Sequence, residues 1–195
     1  MKVKRSPATP RRVLPRTCLI LFTGVAGSGK TTLAKKVLAR IWAVYLDNNH
    51  IVDAFFPHTR SARNYEKWRP RFYRALYTIT EENLKAGNSV LLDVPHVKEM
   101  QDSKWRASIN HLATRAKAKL VVIRCFCSDS VLHSRLDSRG EARDRWKLGH
   151  WEAFLRQQPI KVSVTFPHLD IDTEMNLSTN ASAAVRYILS KAHSA

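Results

Sequence analysis

The sequence has no apolar run near the ~20 residues that a membrane-spanning helix needs, and no apolar core follows its first few residues as in a secretory signal. Cysteine is sparse. Cys18, Cys125 and Cys127 lie in apolar, strand-like runs, and no pair has metal-ligand or redox-motif spacing. Three scattered thiols argue against a disulfide-stapled scaffold and for a reduced, cytoplasmic compartment, each thiol packed as a small buried hydrophobe. Acid is scarce too. Sixteen Asp and Glu face thirty-three Lys and Arg, a formal net charge of +17 that implies an anionic partner.

Part of that charge is local. The first sixteen residues hold Lys2, Lys4, Arg5, Arg11, Arg12, Arg16 and three prolines, with no acid. Lacking periodicity, residues 1–17 read as a disordered basic tail: a solvated arm, a nucleic-acid-binding arm or, in a eukaryote, an import signal. Setting those six charges aside leaves +11, spread over several helices. Nucleotide phosphate alone can account for it, and the spread predicts only a weak salt dependence for polyanion binding.

Along residues 18–195, apolar runs alternate with helical segments. Strands are expected over 18–23, 43–47, 89–93, 119–126 and 168–172, and helices over 30–42, 65–86, 98–116, 129–157 and 181–191. Strands that read as continuous apolar runs between helices indicate a parallel sheet covered on both faces. With no internal repeat and no linker, the body is one α/β domain.

One motif stands out. Gly24, Val25, Ala26, Gly27, Ser28, Gly29, Lys30, Thr31 and Thr32 follow an apolar strand and open an amphipathic helix. Glycines let backbone amides converge on phosphate oxygens, Lys30 reaches the outer phosphates, and the Thr31 hydroxyl suits a magnesium ion. The helix opening at Lys30 adds its positive end. This is a Walker A phosphate cradle, and it implies ATP with Mg²⁺. Asp47 and Asp93 each end an apolar strand, where ligands of open α/β sheets bind. Asp93 reads as a second magnesium ligand and Asp47 as the group that meets an acceptor hydroxyl; the alternative for each is a turn cap. Further on, Arg135, Arg139, Arg143 and Lys147 recur every four residues. Such like-charge spacing is relieved by an external anion, and Gly140 makes the segment a hinged flap instead of a rod. Its alternative is a solvated face neutralised by Asp137, Glu141 and Asp144.

Cradle, strand-end acids and arginine flap in this order resemble the P-loop small-molecule and polynucleotide kinases over about residues 18–192. The likeness is to the small AAA_33-type, zeta-toxin-like kinases and the 5′-hydroxyl kinase domain of phage polynucleotide kinase, and more distantly to adenylylsulfate and gluconate kinases. It implies a P-loop NTPase three-layer sandwich with strand order 2-3-1-4-5, and a lid of Arg135, Arg139 and Arg143 over the ATP phosphates. It also implies a phosphotransferase in which Lys30, Asp47 and Arg139 are catalytic. One departure stands out: Asn49 occupies the position where many relatives carry a second acid. Either Asp47 takes over, or transfer proceeds by positioning alone. The resemblance places the acceptor between residues 49 and 77, where Arg60, Arg63, Arg69, Arg71 and Arg74 mix with Phe55, Phe56, Tyr65, Trp68, Phe72, Tyr73 and Tyr77. Cations among rings suit a small anionic or aromatic acceptor, or a nucleic-acid end; part of this stripe is core. The expected activity is transfer of the ATP γ-phosphate to a hydroxyl of a small acceptor, away from any membrane. The alternatives are a polynucleotide 5′-hydroxyl kinase, and a non-catalytic ATP-binding regulatory or nucleic-acid-binding module.

Overall fold

In the computed structural model, the structure describes residues 10–56, 63–161 and 163–194. The chain runs β1 (Cys18–Thr23), α1 (Lys30–Leu38), β2 (Val44–Asp47), α2 (Asn48–Phe55), α3 (Arg63–Lys85), β3 (Val90–Asp93), α4 (Ser103–Arg115) and β4 (Lys119–Phe126). It continues through α5 (Asp129–Arg139), α6 (Arg145–Gly149), α7 (Trp151–Gln157), β5 (His168–Asp172) and α8 (Leu177–His193). The five strands form one sheet in the order β2-β3-β1-β4-β5, every neighbouring pair parallel. That is the order the family resemblance implies.

Alternation along β1 assigns the two faces. Cys18, Ile20 and Phe22 point to the layer of α1 and α8, while Leu19 and Leu21 point to α3 and α4. A third, smaller cluster joins Val25 and Cys127 to Leu132, Leu136 and Phe154, so α5 and α7 pack on the loop after β1. All three cysteines are free and buried, and burial pushes the Cys125 thiol up to about 12.

Four local differences from the sequence reading have physical causes. The first helix stops at Leu38, because the Ile41 backbone pairs with Arg12: Arg12 N donates to Arg40 O and Trp42 N to Arg12 O, both at 2.8 Å. Residues 10–17 are therefore a strap that buries Leu14 in the α1–α8 layer, and the tail expected over 1–17 is not disordered there. Residues 1–9 lie outside the described part. An unforeseen helix, α2, follows Asp47, whose side chain accepts from Asn49 N at 2.8 Å as a helix cap. The helical stretch expected over 129–157 is interrupted at Gly140, in the left-handed region at φ 62°, where the sequence placed the hinge, but it divides further than expected, into α5, a 3₁₀ turn over Ala142–Asp144, α6 and α7. Finally, α8 begins four residues early, because Asn176 accepts from Ser178 N and Thr179 N.

Candidate active site

The loop after β1 is held from three sides. Thr23 Oγ1 and Gly24 N both donate to the Pro95 carbonyl, at 2.6 and 3.1 Å. A Cβ at Gly24, φ 137°, would stand 2.2 Å from the Cys125 carbonyl oxygen, and one at Gly27 would press on Leu132 and Leu136 at 3.0 Å. Only bare backbone fits between β4 and α5. Lys30, first residue of α1, is buried, and its Nζ donates to the carbonyls of Gly24 and Val25 at 2.8 Å each. Burial lowers the pKa of this ammonium, while nearby Asp93 pulls it back up.

Parallel register sets Asp47 beside Asp93 at the ends of β2 and β3. Thr31 Oγ1 donates to Asp93 Oδ2 at 2.6 Å, and the Tyr45 hydroxyl donates to the same oxygen at 2.9 Å. A hydroxyl and a carboxylate in contact beside the cradle are the hard oxygen donors that suit magnesium, which otherwise keeps waters and substrate phosphates as ligands. Among the described residues no group of three or more His, Cys, Asp or Glu could hold a metal, so the ion's other ligands would have to come from phosphate and solvent.

A cavity of about 510 Å³ lies over the cradle, lined on one side by Gly27, Gly29, Lys30, Thr31 and Asp93. Arg135, Arg139, Arg143 and Lys147 all line its other side. The four cations converge although they sit on α5, the 3₁₀ turn and α6 instead of one helix. Each has a protein partner. Arg139 Nε donates to Asp144 Oδ2 at 2.6 Å, Lys147 pairs with the same buried carboxylate, and Arg143 pairs with Asp53 on α2. Arg135 is tied instead to Thr173 Oγ1 and O, at 2.8 and 2.9 Å. It fastens α5 to the loop after β5; Thr173 of that loop and Asn180 of α8 complete the cavity.

A second cavity, about 1050 Å³, adjoins the first and is lined among others by Tyr65, Arg69, Tyr73, Lys98, Arg145 and Trp146. The two share Ala26, Asn49, Asp93, Pro95, Arg143 and Lys147. Asp47 lines neither. Its carboxylate caps α2 and lies 3.3 Å from the Tyr45 hydroxyl, and desolvation and Asp93 raise its pKa against the Asn49 amide. Of the 49–77 segment, Tyr65, Arg69 and Tyr73 line the second cavity; Phe72 packs inward, and Arg60 lies outside the described residues.

Tyr45, Thr173 and Asn180 had no sequence signal of their own. Asp144 was visible, as one neutralising acid among three, and nothing in the pattern told which of Asp137, Glu141 and Asp144 would be buried.

A five-stranded parallel sheet in the order β2-β3-β1-β4-β5, with a glycine-rich loop running from β1 into Lys30 and Thr31 of α1, defines the P-loop NTPase α/β fold. The chain belongs to the AAA domain family of AAA_33 type, whose model matches residues 19–159. No curated protein matches the sequence. Solved structures share the fold at low identity. A sugar kinase from Janibacter sp. is 16% identical over 88% of this chain and 94% of its own, with a TM-score of 0.65. Kti12 of Chaetomium thermophilum with ADP-AlF3 is 19% identical over 90% and 100%, TM-score 0.63. The APS kinase of Mycobacterium tuberculosis with AMPPNP and APS is 18% identical over 89% and 98%, TM-score 0.59.

Proposed function

We propose that the protein transfers the γ-phosphate of ATP to a hydroxyl of a small acceptor held in the larger cavity. The observation that carries this is the seam where the two cavities meet, with Asp93, Asn49, Arg143 and Lys147 facing both. Phosphoryl transfer needs in-line alignment and cations around the moving group more than it needs a base. Lys30 and the loop amides of residues 24–32 hold the phosphates; Arg139, Arg143 and Lys147 exchange their carboxylate partners for phosphate oxygens. Thr31 and Asp93 would hold a magnesium ion, which when bound neutralises charge between the phosphates. The Asn49 amide, at the seam, can donate to or accept from the acceptor hydroxyl without taking its proton.

Asp47 acts here as a positioning residue, setting α2 and Tyr45. Asp47→Asn retains a good cap and is expected to keep more than about a tenth of kcat. Its effect on stability has a definite sign. A carboxyl whose folded pKa is raised binds its proton more readily when folded, so its cost to stability grows as pH rises through and above the ordinary carboxylate range. Thermal melts should therefore show Asp47→Asn at or above the wild-type Tm at pH 7, with that advantage shrinking on acidification towards pH 4. A thousandfold fall in kcat would restore Asp47 to direct contact with the acceptor.

The lid gives a second expectation. Arg139→Ala and Arg143→Ala should lower kcat about ten- to a hundredfold while changing the nucleotide Kd much less, since both guanidiniums are already partnered before phosphate arrives. Equal, small changes in both constants would make this a solvated face.

A screen of sugars, nucleosides and 5′-hydroxyl oligonucleotides, with ADP release and labelled-phosphate transfer as readouts, tests the reading. One accepted hydroxyl supports it; ATP binding with no acceptor among these classes would favour a regulatory ATP binder. The polynucleotide alternative draws on one feature, the Tyr65, Arg69, Tyr73 and Trp146 lining of the larger cavity. Phosphate transfer to the oligonucleotides alone would select it.

A further inference from the structure

Residues 1–46 and 175–195 contain twelve Lys and Arg and not one Asp or Glu; the 128 residues between them hold the other twenty-one Lys and Arg and all sixteen acids. Distant in sequence, the two acid-free stretches meet in the fold. α1 and α8 pack side by side over one face of the sheet, and the strap at residues 10–17 pairs with Ile41–Trp42 beyond the end of α1. Arg40 fastens the two helices together without a carboxylate, donating to Ser182 Oγ at 2.7 Å and Ser178 Oγ at 3.1 Å. Around it stand Arg11, Arg12, Lys35, Lys36 and Arg186, all exposed, and Lys191, half-exposed. Among the described residues every ion pair falls between residues 53 and 170, so none neutralises this face.

We propose that this face, built by α1, α8 and the strap, is a docking surface for the phosphate backbone of a nucleic acid, separate from the nucleotide site. The strap lies at the amino ends of the strands, where Lys119 N donates to Thr17 O, whereas the cradle, Asp47 and Asp93 follow their carboxyl ends. Seven cations with no counter-ion among the described residues repel one another, and a polyanion relieves that repulsion while releasing its own condensed ions. Guanidinium groups predominate, which favours bidentate contact with phosphate. Trp42, 57% exposed with the Arg11 guanidinium 5.1 Å from its ring centre, offers a stacking platform for a base. An anionic membrane fits less well. The exposed residues of α8 are Leu177, Ser178, Thr179, Arg186, Ser190 and His193, which leaves no apolar stripe to enter the acyl region.

The experiment uses the full chain, saturated with a non-hydrolysable ATP analogue, and a 3′-labelled, 5′-phosphorylated single-stranded oligonucleotide that cannot serve as a 5′-hydroxyl acceptor. Anisotropy titrations from 50 to 200 mM KCl should give a log–log slope of about −3 or steeper, on roughly 0.7 per phosphate for single strands. Lys35→Ala/Lys36→Ala/Arg186→Ala should bring the slope up by about 2 and weaken binding at least about tenfold at 100 mM salt, with ATP turnover unchanged. The proposal is overturned if the triple variant binds as tightly and with the same slope, which would assign binding to residues 1–9 or the cleft. Displacement of the oligonucleotide by the ATP analogue would overturn it as well. So would phosphatidylserine vesicles that out-compete the oligonucleotide and lose their hold on the triple variant.

Discussion

Lys30→Ala should reduce phosphoryl transfer by about 10³-fold or more while the protein still melts cooperatively. The size follows from what the ammonium must do: removing one fixed cation from developing phosphate charge commonly costs that much. Fold retention follows from its neighbours. Lys30 Nζ bonds two carbonyls of its own loop, and Lys30 itself lines a cavity from which water can reach them once the side chain is gone. The loop itself is fixed elsewhere, by the Pro95 carbonyl and the packing of Val25. Steady-state ADP release with any accepted substrate, beside a thermal melt, is the measurement. A variant with near-normal turnover would remove the phosphate-cradle reading altogether.

Gly24→Ala carries the second large effect, and a control within the same chain isolates its cause. At Gly24 a methyl group would sit 2.2 Å from a backbone carbonyl oxygen that belongs to a central strand and cannot swing aside. At Gly87 the φ is also positive, 87°, yet nothing lies within 4 Å of an added Cβ. Gly87→Ala should therefore cost only the left-handed strain, about 1 kcal/mol. Gly24→Ala adds overpacking of about 1–3 kcal/mol and pushes the loop off β4. With roughly 2–4 °C per kcal/mol for a chain of this size, Tm should fall by about 3 °C for Gly87→Ala and about 6–12 °C for Gly24→Ala. Only the latter should lose measurable ATP binding. Equal Tm losses would mean that the close approach to Cys125 does not constrain the loop.

Much of this architecture was legible because its signals are local. Four of the five strands are short runs dominated by apolar residues, β5 instead alternates His168, Asp170 and Asp172 with Leu169 and Ile171, and the glycine–lysine–threonine turn announces itself by spacing. What escaped the sequence depended on partners far away in the chain. The 10–17 strap looked like a tail because its two ladder bonds go to Arg40 and Trp42, and no pattern in a Pro- and Arg-rich segment foretells that pairing. The acid that ends β2 was visible, but not its direction: no helix was expected directly after it, and α2 draws the Asp47 carboxylate back onto Asn49 N. The arginine spacing picked out residues that line one cavity, but for an incomplete reason. A period of four suggests one helical face, whereas Gly140 splits the segment and the cations reconverge because Asp144 is buried between Arg139 and Lys147.

The third hydrophobic cluster limits how that lid can work. Leu132 and Leu136 anchor its incoming helix on Val25, and Phe154 anchors its outgoing helix in the same cluster. A strip fixed at both abutments is expected to behave as an arch and not as a door: the span carrying Arg143 and Lys147 would flex between them, while neither foot can lift without exposing the cluster. Traffic of nucleotide would then pass beneath a flexing span, and the cradle and the arch would soften together on heating. In hydrogen exchange, amides of residues 25–28, 132–139 and 151–157 should share one protection level, and those of 141–147 should exchange ahead of them.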